Sequence, residues 1–256
     1  MTSGPQRISS RDNPLLKDLR RLAQDSTAYR KQGQVWLEGD HLCRAALARG
    51  VVPAMAVYSE AAWAAGPPVA PDAGKTVVIA DALFAGISGL ESPAPMGFVI
   101  GLPPLPDVSR GVSTVILDRV QDAGNVGSIL RSASAFGCAQ VIALKGTAAL
   151  WGAKVLRAGM GAHFGLRLVE GADLSALDGL GVPVLVTSSH HGEFLHALRV
   201  PQPCAWAFGH EGQGVSEELA ALAAMPVRIA QPGGEESLNV AAAAAICLHA
   251  GIQGAG

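Results

Sequence analysis

No apolar run in this chain reaches the roughly 18 to 20 residues that a membrane-spanning helix needs. The polar opening, Met1 to Arg11, also lacks the apolar stretch of a secretory leader. The expectation is a soluble, cytoplasmic protein without a membrane partner. Cys43, Cys138, Cys204 and Cys247 lie far apart with no C-x-x-C pair, which argues against a zinc knuckle or a disulfide framework and for small buried thiols. His190, His191 and His196 cluster, but no cysteine or second acidic ligand stands nearby at metal spacing, so no metal is expected. Two nucleotide-binding signatures are missing too. Ala73-Gly74-Lys75-Thr76 ends like a phosphate-binding loop, yet Val69 stands where its first glycine belongs. Gly209, Gly212 and Gly214 are spaced G-x-x-G-x-G rather than G-x-G-x-x-G. There is no internal repeat.

What is present is a globular composition: 256 residues, 49% hydrophobic, enough for one large core or two modest ones. The net charge of -2 hides an asymmetry, because residues 1–50 carry nine basic and five acidic side chains, a balance of +4 that leaves -6 for the rest. Arg11, Lys17, Arg20, Arg21, Arg30 and Lys31 make this front end a candidate dock for a polyanion. Charge alone leaves a solvated helix face equally open.

Asn13-Pro14 reads as an N-cap with proline at the first helical position, followed by Leu15, Leu16, Leu19 and Leu22 at helical spacing. Strands are expected at Val35 to Leu37, Met55 to Tyr58, Thr76 to Ala80 and Gly97 to Ile100, with a helix from Asp40 to Ala48. This is a small α/β module over residues 1–102. Pro103, Pro104 and Pro106 mark a linker at 103–110. Beyond it, over 111–256, near-continuous apolar strands at Ser113 to Leu117, Gln140 to Leu144, Pro183 to Thr187, Cys204 to Phe208 and Val227 to Ile229 alternate with helices. That pattern predicts a mostly parallel sheet covered on both faces.

Three constellations carry chemistry. After the first of those strands, Asn125 is placed to cap a helix on which Gly127 and Arg131 share a face, so a guanidinium can reach a phosphate beside a bare backbone. After another, Gly209-His210-Glu211-Gly212-Gln213-Gly214 concentrates backbone N–H groups around a carboxylate. Third, Glu236-Ser237-Leu238-Asn239 opens an alanine-rich helix, with Ser237 as a cap and Leu238, Ala242 and Ala245 or Ile246 facing inward. Those alanines suit close helix packing, and simple helix propensity explains them as well.

In this order the three segments resemble the three motifs of the SpoU/TrmH RNA methyltransferases over about residues 112–252, with Arg157-Ala158-Gly159-Met160-Gly161-Ala162 similar to the family's intervening segment. Ser10 to Pro14 and Trp36 to Gly39 resemble the ribosomal-protein-like RNA-binding domain often fused in front. The sequence departs from the family at Ala230 and Gln231, where proline and methionine are usual, and at Glu235. The resemblance implies a SPOUT domain with a deep trefoil knot, S-adenosylmethionine as cofactor, and transfer of its methyl group to a ribose 2'-hydroxyl of RNA. Ribosomal RNA is favoured over transfer RNA as substrate. A homodimer is implied, with the last helix at the seam. Asn125, Arg131, Glu211, Ser237 and Asn239 are the implied catalytic set. Phe208, Gly209, Gly212, Gly214, Ile229, Gln231, Gly233 and Leu238 are implied along the cofactor. The rivals are a base methyltransferase on the same scaffold and a non-catalytic RNA-binding assembly factor.

Overall fold

The structure, a computed structural model, describes residues 4–233 and 237–253. The chain forms two compact units, one running to Pro104 and including Trp151–Phe164, the other Leu105–Leu150 with the residues from Gly165 onward.

The first unit begins with β1 (Gln6–Ile8), α1 (Pro14–Gln24), α2 (Ala28–Gln32), β2 (Gln34–Glu38) and α3 (Asp40–Ala48). It continues with β3 (Met55–Ser59), α4 (Glu60–Ala64), β4 (Thr76–Ile79), α5 (Asp81–Phe84) and β5 (Met96–Gly101). The α1 cap forms as its sequence predicts: Asn13 Oδ1 accepts from the Leu15 N–H at 3.0 Å and Pro14 follows. Its leucines at 16, 19 and 22 are buried. The five strands lie in the order β1-β4-β3-β5-β2, parallel from β1 to β3 and antiparallel across β5.

The second unit holds β6 (Thr114–Asp118), α6 (Ala123–Ala135) and β7 (Gln140–Leu144). The chain then makes α7 (Ala153–Gly159) and returns through β8 (Arg167–Ala172), β9 (Val184–Thr187), β10 (Glu193–Phe194), β11 (Ala205–Gly209), α8 (Glu217–Ala221), β12 (Met225–Arg228) and α9 (Val240–Gln253). Seven strands in the order β10-β12-β9-β11-β6-β7-β8 form a wholly parallel sheet. Its central strands are buried along their whole length, as the apolar runs require.

Three details differ from expectation. Helix α6 starts at Ala123, ahead of the start that a cap at Asn125 would set. The inward face of α9 is Ala244, Cys247 and Leu248, while Ala242 and Ile246 are exposed. The stretch Trp151–Phe164 leaves the parallel-sheet unit and joins the first one. There Val155 and Leu156 are buried, Arg157 pairs with the buried Glu38 at 3.6 Å, and Gly161 lies so close to Ala45 that a side chain would overlap it.

Candidate active site

Asp118 and Gly209 end neighbouring strands β6 and β11 in register, so the segments that follow emerge together at the carboxyl end of the parallel sheet, where such folds present ligands. The cap of α6 is Asp122, whose Oδ1 accepts the Asn125 N–H at 2.7 Å. Asn125 is therefore not the cap, and its side chain is free for tertiary contacts. Its Nδ2 donates to Glu211 Oε1 at 3.1 Å, and its Oδ1 accepts from Asn239 Nδ2 at 3.0 Å. Asn239, rather than Ser237, opens α9, its Oδ1 accepting from the N–H groups of Ala241 and Ala242 at 2.9 and 3.2 Å.

This chain of bonds is polarised. An ionised carboxylate only accepts, so Glu211 dictates that the Asn125 amide turns its NH2 group inward. The Asn125 oxygen then orients Asn239, and the helix N–H groups require the same orientation from the other end. Glu211 also accepts from the backbone N–H groups of Gln121 (3.1 Å) and Asp122 (3.0 Å). Burial pushes this carboxyl up, but the bonds from Asp122, Asn125 and Gln121 outweigh it and hold it at about 2. Such a carboxylate is a poor proton acceptor at neutral pH and a good anchor.

The remaining predicted catalytic residues stand apart from this network. Arg131 lies six residues beyond Asn125, about 9 Å further along α6. It is exposed and makes no hydrogen bond or ion pair among the described residues. Ser237 is exposed, and Glu236 lies outside the described residues.

The glycine loop corrects one expectation. Its amides are not free: Gly212 and Gln213 donate to His210 Nδ1 at 3.0 and 3.2 Å, while His210 and Gly214 exchange backbone bonds. Gly209 is glycine because a Cβ would overlap the Gly214–Val215 backbone, and Gly214 has a left-handed φ of 70°. Both serve closure of the loop on itself. The Phe208 ring is fully buried, stacked beside Trp206 in the core. What the loop leaves open is the set of carbonyls at Glu211, Gly212 and Gln213, which accept no bond among the described residues.

After β12, Gln231 Oε1 is buried without a partner among the described residues, Ile229 is half-buried, and Gly233 and Leu238 are exposed. An open cavity of about 1040 Å³ runs along α9, lined by Phe136, Leu195, Val200, Ile229, Ala245 and His249 among others. Of the predicted cofactor residues only Ile229 lines it, and the polar network of Asn125, Glu211 and Asn239 is not part of it. The polar network and this cavity are therefore separate features of the second unit.

In the first unit Arg11, Lys17, Arg21 and Lys31 are exposed. Arg20 Nε donates to the Gly86 carbonyl at 3.0 Å, and Arg30 lies over the Tyr29 ring. Burial pushes the thiols of Cys43, Cys204 and Cys247 up to about 12 and that of Cys138 to about 11, so all four stay protonated and unreactive.

Sequence reasoning missed Asp118, Arg119, Asp122 and Gln213. Asp122 was detectable, since an aspartate three residues before Asn125 is itself a cap signal. The other three act through contacts far apart in sequence.

Polar groups converging at the carboxyl end of a wholly parallel sheet define an α/β enzyme. The profile of the SpoU rRNA Methylase family matches residues 113–249. An uncharacterized tRNA/rRNA methyltransferase of Synechocystis sp. is 32% identical over 266 residues, spanning 97% of this chain and 94% of that protein. The 23S rRNA (guanosine(2553)-2'-O)-methyltransferase RlmP of Bacillus subtilis is 29% identical over 249 residues, 95% and 98% of the two chains. The crystal structure of an AdoMet-bound rRNA methyltransferase from Sinorhizobium meliloti superposes with a TM-score of 0.83 at 26% identity, over 97% of each chain. The chain belongs to the SpoU rRNA methylase family and is an RNA methyltransferase with the α/β fold of the SPOUT enzymes.

Proposed function

We propose that this enzyme transfers the methyl group of S-adenosylmethionine to a ribose 2'-hydroxyl of ribosomal RNA. The observation that carries the reading is the Asn125–Glu211–Asn239 chain, a polar frame with an exposed arginine further along the same helix that makes no bond among the described residues. The carbonyls at Glu211 to Gln213 and the Gln231 Oε1, all without a donor among the described residues, are acceptors suited to the amino groups of an adenosyl-methionine ligand. When bound, that cofactor supplies a methyl carbon activated by sulfonium.

The ribose oxygen attacks this carbon in line with the departing sulfur, so positioning supplies much of the rate. Arg131 binds the adjoining phosphate and stabilises the negative charge that develops on the oxygen. A guanidinium scarcely gives up a proton in proteins, and Glu211 is held ionised by three hydrogen bonds, so neither suits the part of base. The hydroxyl proton leaves to solvent as the O–C bond forms. Asn125, Asn239 and Ser237 hold the ribose and the cofactor loop.

The exposed cations Arg11, Lys17, Arg21 and Lys31 dock the RNA. Exposed Ala242 and Ile246 on α9, beside the open cavity, support a homodimer with α9 at the seam. The insertion of the last strand, β12, between β9 and β10 before the chain turns into α9 supports the knotted path of this fold.

The test is incubation with labelled S-adenosylmethionine and methyl-deficient total RNA, followed by alkaline digestion. A ribose product resists cleavage at the modified nucleotide. Label that leaves cleavage intact points to base methylation, and RNA binding without label points to a non-catalytic role. Light scattering at twice 26.1 kDa tests the dimer, and a mass of one chain rejects it.

A further inference from the structure

Asp118, at the end of β6, is 3% exposed, and both its carboxylate oxygens are spent. Oδ2 accepts the Ser216 backbone N–H at 2.6 Å, and Oδ1 accepts Arg119 Nε at 3.1 Å. Arg119 in turn donates from Nη1 to Gln213 Oε1 at 3.0 Å. These bonds fall on the middle and the far end of the loop that carries Glu211. Its near end is fixed by the pairing of Gly209 with Asp118.

Arg119 adopts φ 59°, in the left-handed region that side-chain-bearing residues seldom enter. Only two described non-glycine residues do so. The conformation is held from outside. The Arg119 N–H donates to Thr147 Oγ1 at 3.1 Å, that hydroxyl donates to the Leu117 carbonyl at 3.0 Å, and the arginine stem crosses Gly146, where a Cβ would come within 3.1 Å. A strained backbone over-determined by its neighbours is commonly found where function needs a side chain in one place. Here that place is the loop bearing Glu211.

We propose that Asp118 and Arg119 are positioning residues for methyl transfer. They form a clasp that locks the His210–Ser216 loop and thereby delivers the Glu211 carboxylate to the Gln121 and Asp122 N–H groups and to Asn125. The clasp touches neither substrate nor cofactor; it acts through the loop. The inference rests on reading the Asn125–Glu211–Asn239 frame as the methyl-transfer site.

The discriminating variant is Arg119→Gly, which tolerates φ 59° and removes only the side chain. Asp118→Asn keeps an acceptor for Ser216 and weakens the tie to the arginine. For Arg119→Gly we expect turnover to fall about 10- to 100-fold, with a loss of thermal stability that leaves the protein folded at the assay temperature and with RNA affinity unchanged. The Glu211 carboxyl, followed by NMR, should titrate closer to the ordinary glutamate range than in the parent. Asp118→Asn should shift both quantities in the same direction by less, and Gln213→Glu in the parent, which gives Arg119 a charged acceptor in place of a neutral one, should leave the Glu211 titration low. Parental turnover and an unshifted Glu211 titration in Arg119→Gly would overturn the clasp. Failure of the parent enzyme to label RNA would instead sink the functional reading, while a shifted Glu211 titration would still support the loop's anchorage.

Discussion

The two glycine-bearing turns at the carboxyl end of the parallel sheet are built on opposite terms. In the loop after β11, the amides of Gly212, Gln213, Gly214 and Ser216 are satisfied by His210 or Asp118, and the Glu211 carboxylate accepts three hydrogen bonds, from Gln121, Asp122 and Asn125. In the stretch after β12, Gln231 keeps a buried oxygen without a partner among the described residues, and Ser237 and Leu238 face outward. The first closes its own amides and leaves the carbonyls of Glu211, Gly212 and Gln213 open, while in the second a buried oxygen of Gln231 has no partner among the described residues. Arg131 resembles the second, an exposed cation further along α6 with no bond among the described residues.

The comparison can be broken most severely at Arg131. Arg131→Ala should lower turnover about 10²- to 10³-fold while cofactor affinity by calorimetry stays at the parental value; unchanged turnover removes Arg131 from the mechanism. Next comes the frame itself. Gly209→Ala forces a Cβ into the Gly214–Val215 backbone and should cost about 3 kcal/mol, whereas Gly212→Ala, which meets only the His210 ring at 3.8 Å, should change stability by about 0.5 kcal/mol or less. Equal urea midpoints for the two would show that the loop does not close as described. Asn239→Ala removes the α9 cap and the bond to Asn125, with an expected loss of about 1 kcal/mol and a fall in turnover larger than the fall in stability explains. A variant that loses stability alone assigns Asn239 a purely structural part.

The smallest effect concerns pH. Glu211 is depressed in the folded state from the ordinary 4.5 to about 2, so its contribution is complete above about pH 4.5 and is lost as pH falls towards 2. Glu211→Gln should therefore flatten the acid limb of stability measured by urea unfolding across that window, and leave any titration seen in turnover from about pH 5 upward unchanged. A turnover ionisation that vanishes in Glu211→Gln would instead make Glu211 the base.

Much of this was legible in the residues. Asn13-Pro14 announced α1, and the apolar runs announced the central strands, because burial on both faces leaves an unbroken signature. Asn125, Glu211 and Asn239 were singled out together with Arg131 and Ser237 through the family resemblance, and the structure joins the first three by hydrogen bonds but not the other two. Which of two polar residues caps each helix was not legible. Asp122 and Asn125, like Ser237 and Asn239, are both plausible caps; Asp122 caps α6 while Asn125 spends its Oδ1 on Asn239 and its Nδ2 on Glu211, contacts distant in sequence. Strand β8 was hidden for a related reason, since an edge strand reading Arg167-Leu168-Val169-Glu170-Gly171-Ala172 buries too little to show a period. The left-handed Arg119 has no local signal, for its backbone is imposed by Thr147 and Gly146.

The excursion through α7 has a consequence for how this protein can be taken apart. Because Trp151–Phe164 packs into the first unit although its sequence neighbours build the second, cleavage near Pro104 would yield two fragments still tied by a helix buried in the wrong half. A shortened chain starting after that point would expose Val155 and Leu156 to water. Any other module set in front of the parallel sheet would have to cover Val155 and Leu156 in its turn.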